Sequence, residues 1–311
     1  MVMFGIDLVL LIPALMISAT PVLLAAIGEA VVEKSGVLNL GVEGMMITGA
    51  VIGFIIAVNT QIPIYGFICA AFAGALLSVI FAILTQYMMS NQVATGLGLT
   101  MVGLGLSALI GKPYEGIKSP TLTKLEIPIL SDIPILGPMI FSHDAIVYFS
   151  IFVIASVAFI IKKTRIGLIL RAVGENQDAA HALGYKVIRI RFIAIMFGGA
   201  TAGIGGAYIS LARVPQWTEG MTAGAGWIAL ALVVFASWKP WRVLVGAYLF
   251  GGITVLQLNL QAIGVAIPVE ILSMSPYLVT IVVLVVISLF GHQLRLVRWR
   301  DLSTPHSEAK H

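Results

Sequence analysis

A carboxylate near the start of an apolar run is the first residue of this chain that could do chemistry. Glu43 lies in the string SGVLNLGVEGMMITGA. Placing a carboxylate inside a membrane costs about 2.5–3.5 kcal/mol on insertion scales, so Glu43 should face a cavity or a partner group. Gly36, Gly41 and Gly44 around Asn39 predict a broken helix, which is tolerated only where it is buried in protein or lines a polar cavity. We therefore expect Asn39 and Glu43 either to line a solute pathway or to brace the helix break.

Two groups of uncharged polar residues could also contact a solute. They are Asn91, Gln92 and Thr95, and Gln257, Asn259 and Gln261. An amide both donates and accepts hydrogen bonds, which suits a neutral hydroxylated or heterocyclic solute. The same residues could equally form hydrogen bonds between helices. With Asn39 and Glu43, they are the candidate pathway residues.

Sequence patterns typical of catalysis are missing. The chain has no GxxxxGK[ST], HExxH, CxxC or GxSxG string and no cluster of potential metal ligands, and its single Cys69 cannot form an internal disulfide. We therefore expect no catalytic residue, no metal site and no cofactor in this chain. If it pumps a solute, the energy must come from an ion gradient or from another subunit.

Composition indicates an integral membrane protein. Of the 311 residues, 59% are hydrophobic and only 10% are charged, and the mean hydropathy is +1.04. A soluble chain carries about 25% charged residues. The excess of basic residues does not indicate a nucleic-acid partner, because most of them lie in short loops on one face of the predicted topology. The expected partner of this surface is the lipid bilayer.

Apolar segments of about 20 residues, the length that crosses a bilayer, predict an all-α, polytopic bundle of about nine spans in one domain, 1–311. The loop 162–191 is rich in Lys and Arg and should be cytoplasmic. Alternation then places the N-terminus outside, an external loop at 112–144 and a cytoplasmic tail at 291–311. The predicted spans are 8–31, 41–58, 64–88, 93–110, 145–161, 192–211, 222–238, 243–260 and 277–290.

Small residues in two of these spans predict close packing of helices. They are Gly96, Gly98, Gly103 and Gly105 in the fourth, and Gly198, Gly199, Ala200, Ala202, Gly203, Gly205, Gly206 and Ala207 in the sixth. The proline-rich stretch of the external loop should lie over the outer mouth of the bundle, where it could cover a pathway, receive a partner or serve as a structural cover.

The loop 162–191 should contain a helix of about two turns. Asn176 is a good N-cap, Asp178 would lie in the first turn, and Gly184 suits a left-handed C-cap. A helix this short is marginal in water, so it should pack against something. The small side chains that could enter a groove on another protein are Ala179, Ala180, Ala182 and Leu183. The alternative is a surface helix folded back on its own bundle.

Three segments resemble the permease subunits of ABC importers in the group that includes branched-chain amino acid and ribose permeases. They are GEAVVEKSGVLNLGVEGMMITGA, TRIGLILRAVGENQDAAHALG and GWIALALVVFASWKP, beginning at Gly28, Thr164 and Gly226. The pairing of SGVLNLGVEGMM with RAVGENQDAA most resembles the nucleoside and simple-sugar branch. Gln177 departs from the proline expected at that position, and Ala236 from a common glycine.

The resemblance implies a coupling helix after Asn176 that docks on a separate ATP-hydrolysing subunit. The residues that match this element are Gly174, Glu175, Asn176, Ala179, Ala180 and Gly184. ATP and Mg²⁺ would bind to that ATPase subunit. A second, related permease chain and an extracytoplasmic solute-binding protein would complete an importer in the cell membrane of a prokaryote, working by alternating access.

Other functions remain open at the level of sequence. The solute could be a nucleoside, a simple sugar or a branched-chain amino acid. A gradient-driven transporter or channel acting alone is another possibility, although it should carry ion-coupling acids within its spans, and these are scarce here. A membrane-embedded enzyme is disfavoured because no nucleophile–base pair or metal-ligand cluster is present.

Overall fold

The computed structural model describes residues 2–3, 6–126 and 141–262, together with positions 137, 139, 274, 278, 281, 282 and 285. This part of the chain is mostly helical. Its helices are α1 Leu8–Lys34, α2 Val42–Thr60, α3 Pro63–Ala82, α4 Gln92–Gly111, α5 Ala145–Lys163, α6 Arg165–Glu175, α7 Gln177–Ala182, α8 Val187–Tyr208, α9 Ala225–Phe235 and α10 Pro240–Ala262. A π-helical turn extends α3 over Ile83–Tyr87 and another extends α8 over Ile209–Arg213.

Within the described ranges, four short strands form two antiparallel pairs. Strand β1, Val2–Met3, pairs with β2, Ile6–Asp7, and strand β3, Lys124–Glu126, pairs with β4, Ser142–Asp144. The second pair ends directly at α5, and the Asp144 side chain accepts hydrogen bonds from two free amides in the first turn of that helix, Ile146 N at 3.0 Å and Val147 N at 3.1 Å. Asp144 therefore caps α5 where it enters the bundle.

Seven helices in the described part are long and apolar enough to cross a membrane. They coincide with seven of the nine predicted spans, because an apolar run of bilayer length is a strong signal for a membrane helix. The predicted span 222–238 is instead the 11-residue helix α9. Most of the predicted span 277–290, the tail 291–311, and residues 127–136, 138 and 140 of the external loop lie outside the described residues.

The centre of the bundle is built by α1, α2 and α8. Helix α1 packs against α8, α9 and α10, whereas α2 packs against α3, α4 and α8. A Cβ at Gly206 would overlap the carbonyl of Met46 in α2, and one at Gly203 would overlap that of Ala70 in α3. The close packing expected of the sixth predicted span is therefore confirmed.

Only half of the glycines in the fourth predicted span serve packing within the chain. A Cβ at Gly103 would lie 2.6 Å from the Gly44 carbonyl oxygen of α2, and one at Gly96 would lie 2.9 Å from Gly41 N. Among the described residues, no atom of another element lies within 4 Å of the corresponding position at Gly98 or Gly105. The expectation of close packing therefore holds for one face of α4, and the other face contacts no helix in the described part of the chain.

The two ends of the bundle differ in what closes them. One end, which we call the basic end, holds the last turn of α1, the segment 162–191 and the start of α10. At the opposite end, the residues after α4 run beside the segment that follows α8: Ser119 N donates to the Pro215 carbonyl at 3.0 Å, and Glu115 bridges to Trp217. The described part of the predicted external loop thus lies over this end.

Candidate functional site

The segment 162–191 folds as two short helices, α6 and α7, before α8 begins. The Asn176 side chain caps α7 by accepting from Ala179 N at 2.9 Å, as expected. Gly184 has φ +85°, the left-handed conformation expected after the helix. Ala179, Ala182 and Leu183 are exposed, but Ala180 is buried. Helix α7 therefore rests on the bundle through Ala180 and presents its other small residues outward.

Arg191 ties this short helix to the connection between α1 and α2. Its Nε donates to the Ser35 carbonyl at 3.0 Å, and its second guanidinium nitrogen donates to Gln177 Oε1 in the first turn of α7 at 2.9 Å. One side chain at the start of α8 thus holds both elements. A movement of α7 would be transmitted to Ser35 through this guanidinium.

Backbone contact between α6 and the end of α1 reinforces the tie. Gly36 adopts φ +85°, and a Cβ there would lie 3.2 Å from Gly174 Cα. A Cβ at Gly174 would in turn overlap the Lys34 carbonyl. Gly174, which was a candidate for coupling, therefore has a packing role in this chain: it lets α6 touch the turn that leaves α1.

The connection 35–41 folds back into the bundle. Asn39 is fully buried, and its backbone N donates to Glu29 Oε1, ten residues earlier in α1, at 3.3 Å. Its side-chain oxygen accepts from Gly41 N at 3.0 Å, and its amide nitrogen contacts Met45 Sδ at 3.5 Å. Asn39 therefore braces the turn into α2. The second oxygen of Glu29 is buried without a partner among the described residues.

The Glu43 carboxylate accepts hydrogen bonds from the segment that starts α9. Its Oε1 accepts from the Thr222 hydroxyl at 2.6 Å and from Gly224 N at 2.9 Å, while Oε2 accepts from Gly226 N at 2.6 Å. The side chain is only 3% exposed. A helix N-terminus carries free N–H groups and a partial positive charge, and a carboxylate satisfies both. Glu43 therefore holds the segment that starts α9 against the start of α2, a contact different from the bracing of the helix break around Asn39.

Helix α9 starts within the bundle rather than at its surface. Its far end reaches the basic end, where the Trp238 indole donates to Glu33 of α1. Eleven residues of helix rise only about 16 Å, roughly half of a 30 Å hydrocarbon core. The segment 214–224 therefore descends from the opposite end to meet Glu43. Non-helical backbone at such a depth is tolerated where it lines a cavity, and Val214, Met221, Thr222 and Ala223 of this segment line one.

A cavity of about 250 Å³, which we call the opposite-end cavity, lies beside this descending segment. Helices α1 and α10 and the π-helical end of α8 form its other walls. Its polar side chains are Arg213, Thr222, Thr254 and Gln257, and the remaining lining is apolar. Of the predicted pathway residues, Gln257 is therefore the one that lines this cavity. Asn259 donates to the Val255 carbonyl of its own helix at 2.8 Å, and Gln261 lies at the end of α10.

The other predicted pathway residues lie at the basic end. Asn91 caps α4 by accepting from Ala94 N at 3.0 Å, and Thr95 shares a 2.8 Å hydrogen bond with Ser90. Gln92 accepts from Leu38 N at 2.9 Å. Gln92 also lines a second cavity, of about 400 Å³, together with Gln177 of α7 and Arg191. The structure thus separates the predicted residues into a basic-end group and an opposite-end group.

Sequence reasoning missed the residues that meet Glu43 and those that share a cavity with Gln257. Thr222, Gly224 and Gly226 were assigned to a continuous span, although the spacing of Gly220, Gly224 and Gly226 signals a turn in the backbone. Gly220 and Gly224 have φ of +67° and +82°. Arg213 carries no local sequence signal beyond its positive charge, so nothing near it indicates that it faces a cavity.

Comparisons with known proteins extend over most of the chain. The family model "Branched-chain amino acid transport system / permease component" matches residues 11–290. The putative glucose ABC transporter permease protein TsgC13 of Haloferax volcanii is 39% identical, covering 86% of this chain and 88% of its own. The guanosine ABC transporter permease protein NupQ of Bacillus subtilis is 34% identical, covering 88% and 91%. The nucleoside ABC transporter permease protein NupC of Lactococcus lactis is 30% identical with the same coverage. No solved structure matches the chain.

Proposed function

The chain belongs to the branched-chain amino acid transport system / permease component family, and we propose that it is the membrane permease subunit of an ATP-driven importer for nucleosides. The observation that carries this proposal is the capped, exposed helix α7, whose first turn is linked through Arg191 to the interior of the bundle. A docking helix needs such a link if its movement is to reach a gate inside the membrane.

The membrane topology follows from the charges of the basic end. The segment 162–191 and the C-terminal ends of α1 and α9 lie at the same end, as expected for one cytoplasmic face. We place the N-terminus outside, the loop 112–144 outside and the tail 291–311 in the cytoplasm. The seven long helices, the half-length α9 and the segment 277–290 make up the nine passages of the chain.

The partners follow from the family and from what this chain lacks. Its sequence has no phosphate-binding loop, so ATP and Mg²⁺ belong to a separate ATPase subunit that docks on α7. A second, related permease chain forms the pathway together with this one, and an extracytoplasmic binding protein delivers the solute to the opposite end. The chain itself performs no chemistry on the solute.

A nucleoside is the solute we favour over a sugar. Two relatives are named as guanosine or nucleoside permeases and one as a putative glucose permease. The mixed polar and apolar lining of the opposite-end cavity suits a solute with an apolar ring face and a few polar edges. A hexose, with hydroxyl groups around its ring, would require more hydrogen-bonding partners than this lining offers.

The test is whether an ATPase subunit docks on α7. Leu183 at the end of α7 is 75% exposed, and a Leu183→Asp change puts a charge on the apolar surface that enters the ATPase groove. We expect the ATPase to fail to copurify and ATP-dependent nucleoside uptake in proteoliposomes to be lost. Leu183→Met keeps an apolar side chain at the same position and should preserve both. ATP-independent uptake by the purified chain alone would instead identify a gradient-driven transporter or channel.

A further inference from the structure

The opposite-end cavity has four polar side chains in its lining. Arg213, Thr222, Thr254 and Gln257 face a lining that is otherwise made of aliphatic side chains and Phe250. At about 250 Å³ the space is slightly below the usual range of ligand pockets, which begins near 300 Å³. It therefore accommodates one small solute and excludes a peptide.

The two threonine hydroxyls in the cavity each donate a hydrogen bond to an acceptor within the chain. Thr222 donates to Glu43 Oε1 at 2.6 Å, and Thr254 donates to the Phe250 carbonyl at 3.0 Å. Each hydroxyl oxygen therefore offers a solute only its lone pairs. Gln257 can both donate and accept.

Arg213 is the main source of hydrogen-bond donors in this cavity. Its guanidinium forms no hydrogen bond or ion pair with another residue in the described part of the chain. Five N–H groups in a planar fork can bind two acceptors that lie side by side in one plane. The 6-oxo and N7 atoms of a purine are such a pair, and arginine binds the same two atoms of guanine in DNA.

The rest of the cavity fits the same type of solute. The faces of a purine ring are apolar and can pack against Val22, Ile228 and Phe250. Its ribose hydroxyls are donors and can bind the lone pairs that Thr222 and Thr254 keep. In adenosine an amino group replaces the oxo group, so one N–H of the arginine fork would face a donor and lose its acceptor.

We propose that Arg213 is a specificity-determining residue that binds the 6-oxo and N7 acceptors of a purine nucleoside in the opposite-end cavity. This inference rests on the proposed function, because it names the solute of that importer. It adds the class of nucleoside and the residue that distinguishes it from adenosine.

The test compares guanosine with adenosine in proteoliposomes that hold this chain, its ATPase, its partner permease and its binding protein. The ratio of kcat/KM for the two solutes is measured for the wild type, Arg213→Gln, Arg213→Lys and a control, Lys112→Gln. Since all variants share one binding protein, its own preference cancels in the comparison. Lys112 is exposed after α4, so its change removes the same charge without touching the cavity.

Both changes at Arg213 should lower the guanosine-to-adenosine ratio by at least about fivefold, the lower range for one bidentate arginine–guanine contact. Arg213→Lys keeps the charge but not the fork, so a loss in this variant identifies the geometry as the cause. Lys112→Gln should leave the ratio unchanged. An unchanged ratio in both Arg213 variants would overturn the proposal, while ATP-dependent uptake by the wild type would leave the importer function intact.

A second measurement does not depend on transport. In a Cys69→Ala background, a Thr254→Cys change places a thiol in the cavity, and its rate of reaction with a small maleimide is measured. Guanosine should slow the reaction more than adenosine or glucose does, and Arg213→Gln should remove the difference. Equal protection by guanosine and glucose, or protection that persists without Arg213, would contradict the assignment.

Discussion

Replacing Glu43 by glutamine should destabilise the chain by a predictable amount. The Glu43 carboxylate accepts three hydrogen bonds from the segment that starts α9, two on Oε1 and one on Oε2. In Glu43→Gln one oxygen becomes an NH₂ group, which cannot accept. At least one donor at the start of α9 is then left unsatisfied in a site that is 3% exposed.

The magnitude follows from the bonds that are lost. A hydrogen bond to a charged group contributes about 1.5–3 kcal/mol, and the attraction of a carboxylate to a helix N-terminus adds about 0.3–2 kcal/mol. We therefore expect Glu43→Gln to lower the free energy of unfolding by about 2–5 kcal/mol. Glu43→Ala leaves all three donors without this partner and should cost more. Glu43→Asp keeps the charge but is shorter by one methylene, so it should fall between the wild type and alanine.

The assay is equilibrium unfolding of the purified chain in mixed detergent micelles, followed by tryptophan fluorescence. Trp227 lies in the first turn of α9 and reports on that helix directly. Glu219→Gln is the matched control, because Glu219 is an exposed carboxylate in the same descending segment. Equal unfolding free energies for Glu43→Gln, Glu219→Gln and the wild type would refute the idea that the carboxylate holds the start of α9.

Two further predictions concern helix packing and the link from α7. Gly206→Ala should destabilise the chain by about 1–3 kcal/mol or more in the same unfolding assay, because its Cβ overlaps the Met46 carbonyl. The control Gly105→Ala has open space around the added Cβ and should be neutral or slightly stabilising. An equal loss of unfolding free energy in the two variants would contradict the packing role of Gly206. Arg191→Gln should reduce solute-stimulated ATP hydrolysis in proteoliposomes at least about fivefold while the ATPase stays bound, because both hydrogen bonds of the guanidinium are weakened. Arg189→Gln, at an exposed position nearby, is the control. Full stimulation in Arg191→Gln would show that Arg191 does not transmit the movement of α7 to the bundle.

Local features of this chain could be predicted from its sequence because their causes are local. Seven spans were recognised because each is a continuous apolar run of bilayer length. The cap on α7 was recognised because Asn176 and Gly184 have strong positional preferences at the two ends of a helix. Close packing by Gly203 and Gly206 was recognised because glycine in a membrane span has few other uses.

Features that depend on distant residues could not be predicted. Glu43 was expected to need a partner, but the three donors it meets lie about 180 residues later in the chain. The same distance explains why the short length of α9 within 222–238 was not expected: the apolar composition is that of a full span, and no local pattern signals the contact of this segment with Glu43. The cavity around Arg213 likewise requires four segments to be assembled before it exists.

The meeting of Glu43 with α9 also bears on how the chain is inserted into the membrane during synthesis. The backbone amides of Gly224 and Gly226 are costly in lipid until an acceptor satisfies them. Because Glu43 precedes Gly226 by 183 residues, α2 is already in place when the ribosome releases α9. The early helices thus act as a template for the later ones. A fragment beginning after α2 would have to insert α9 without its acceptor, so separately expressed halves of this protein should assemble only when the N-terminal half is made first or alongside.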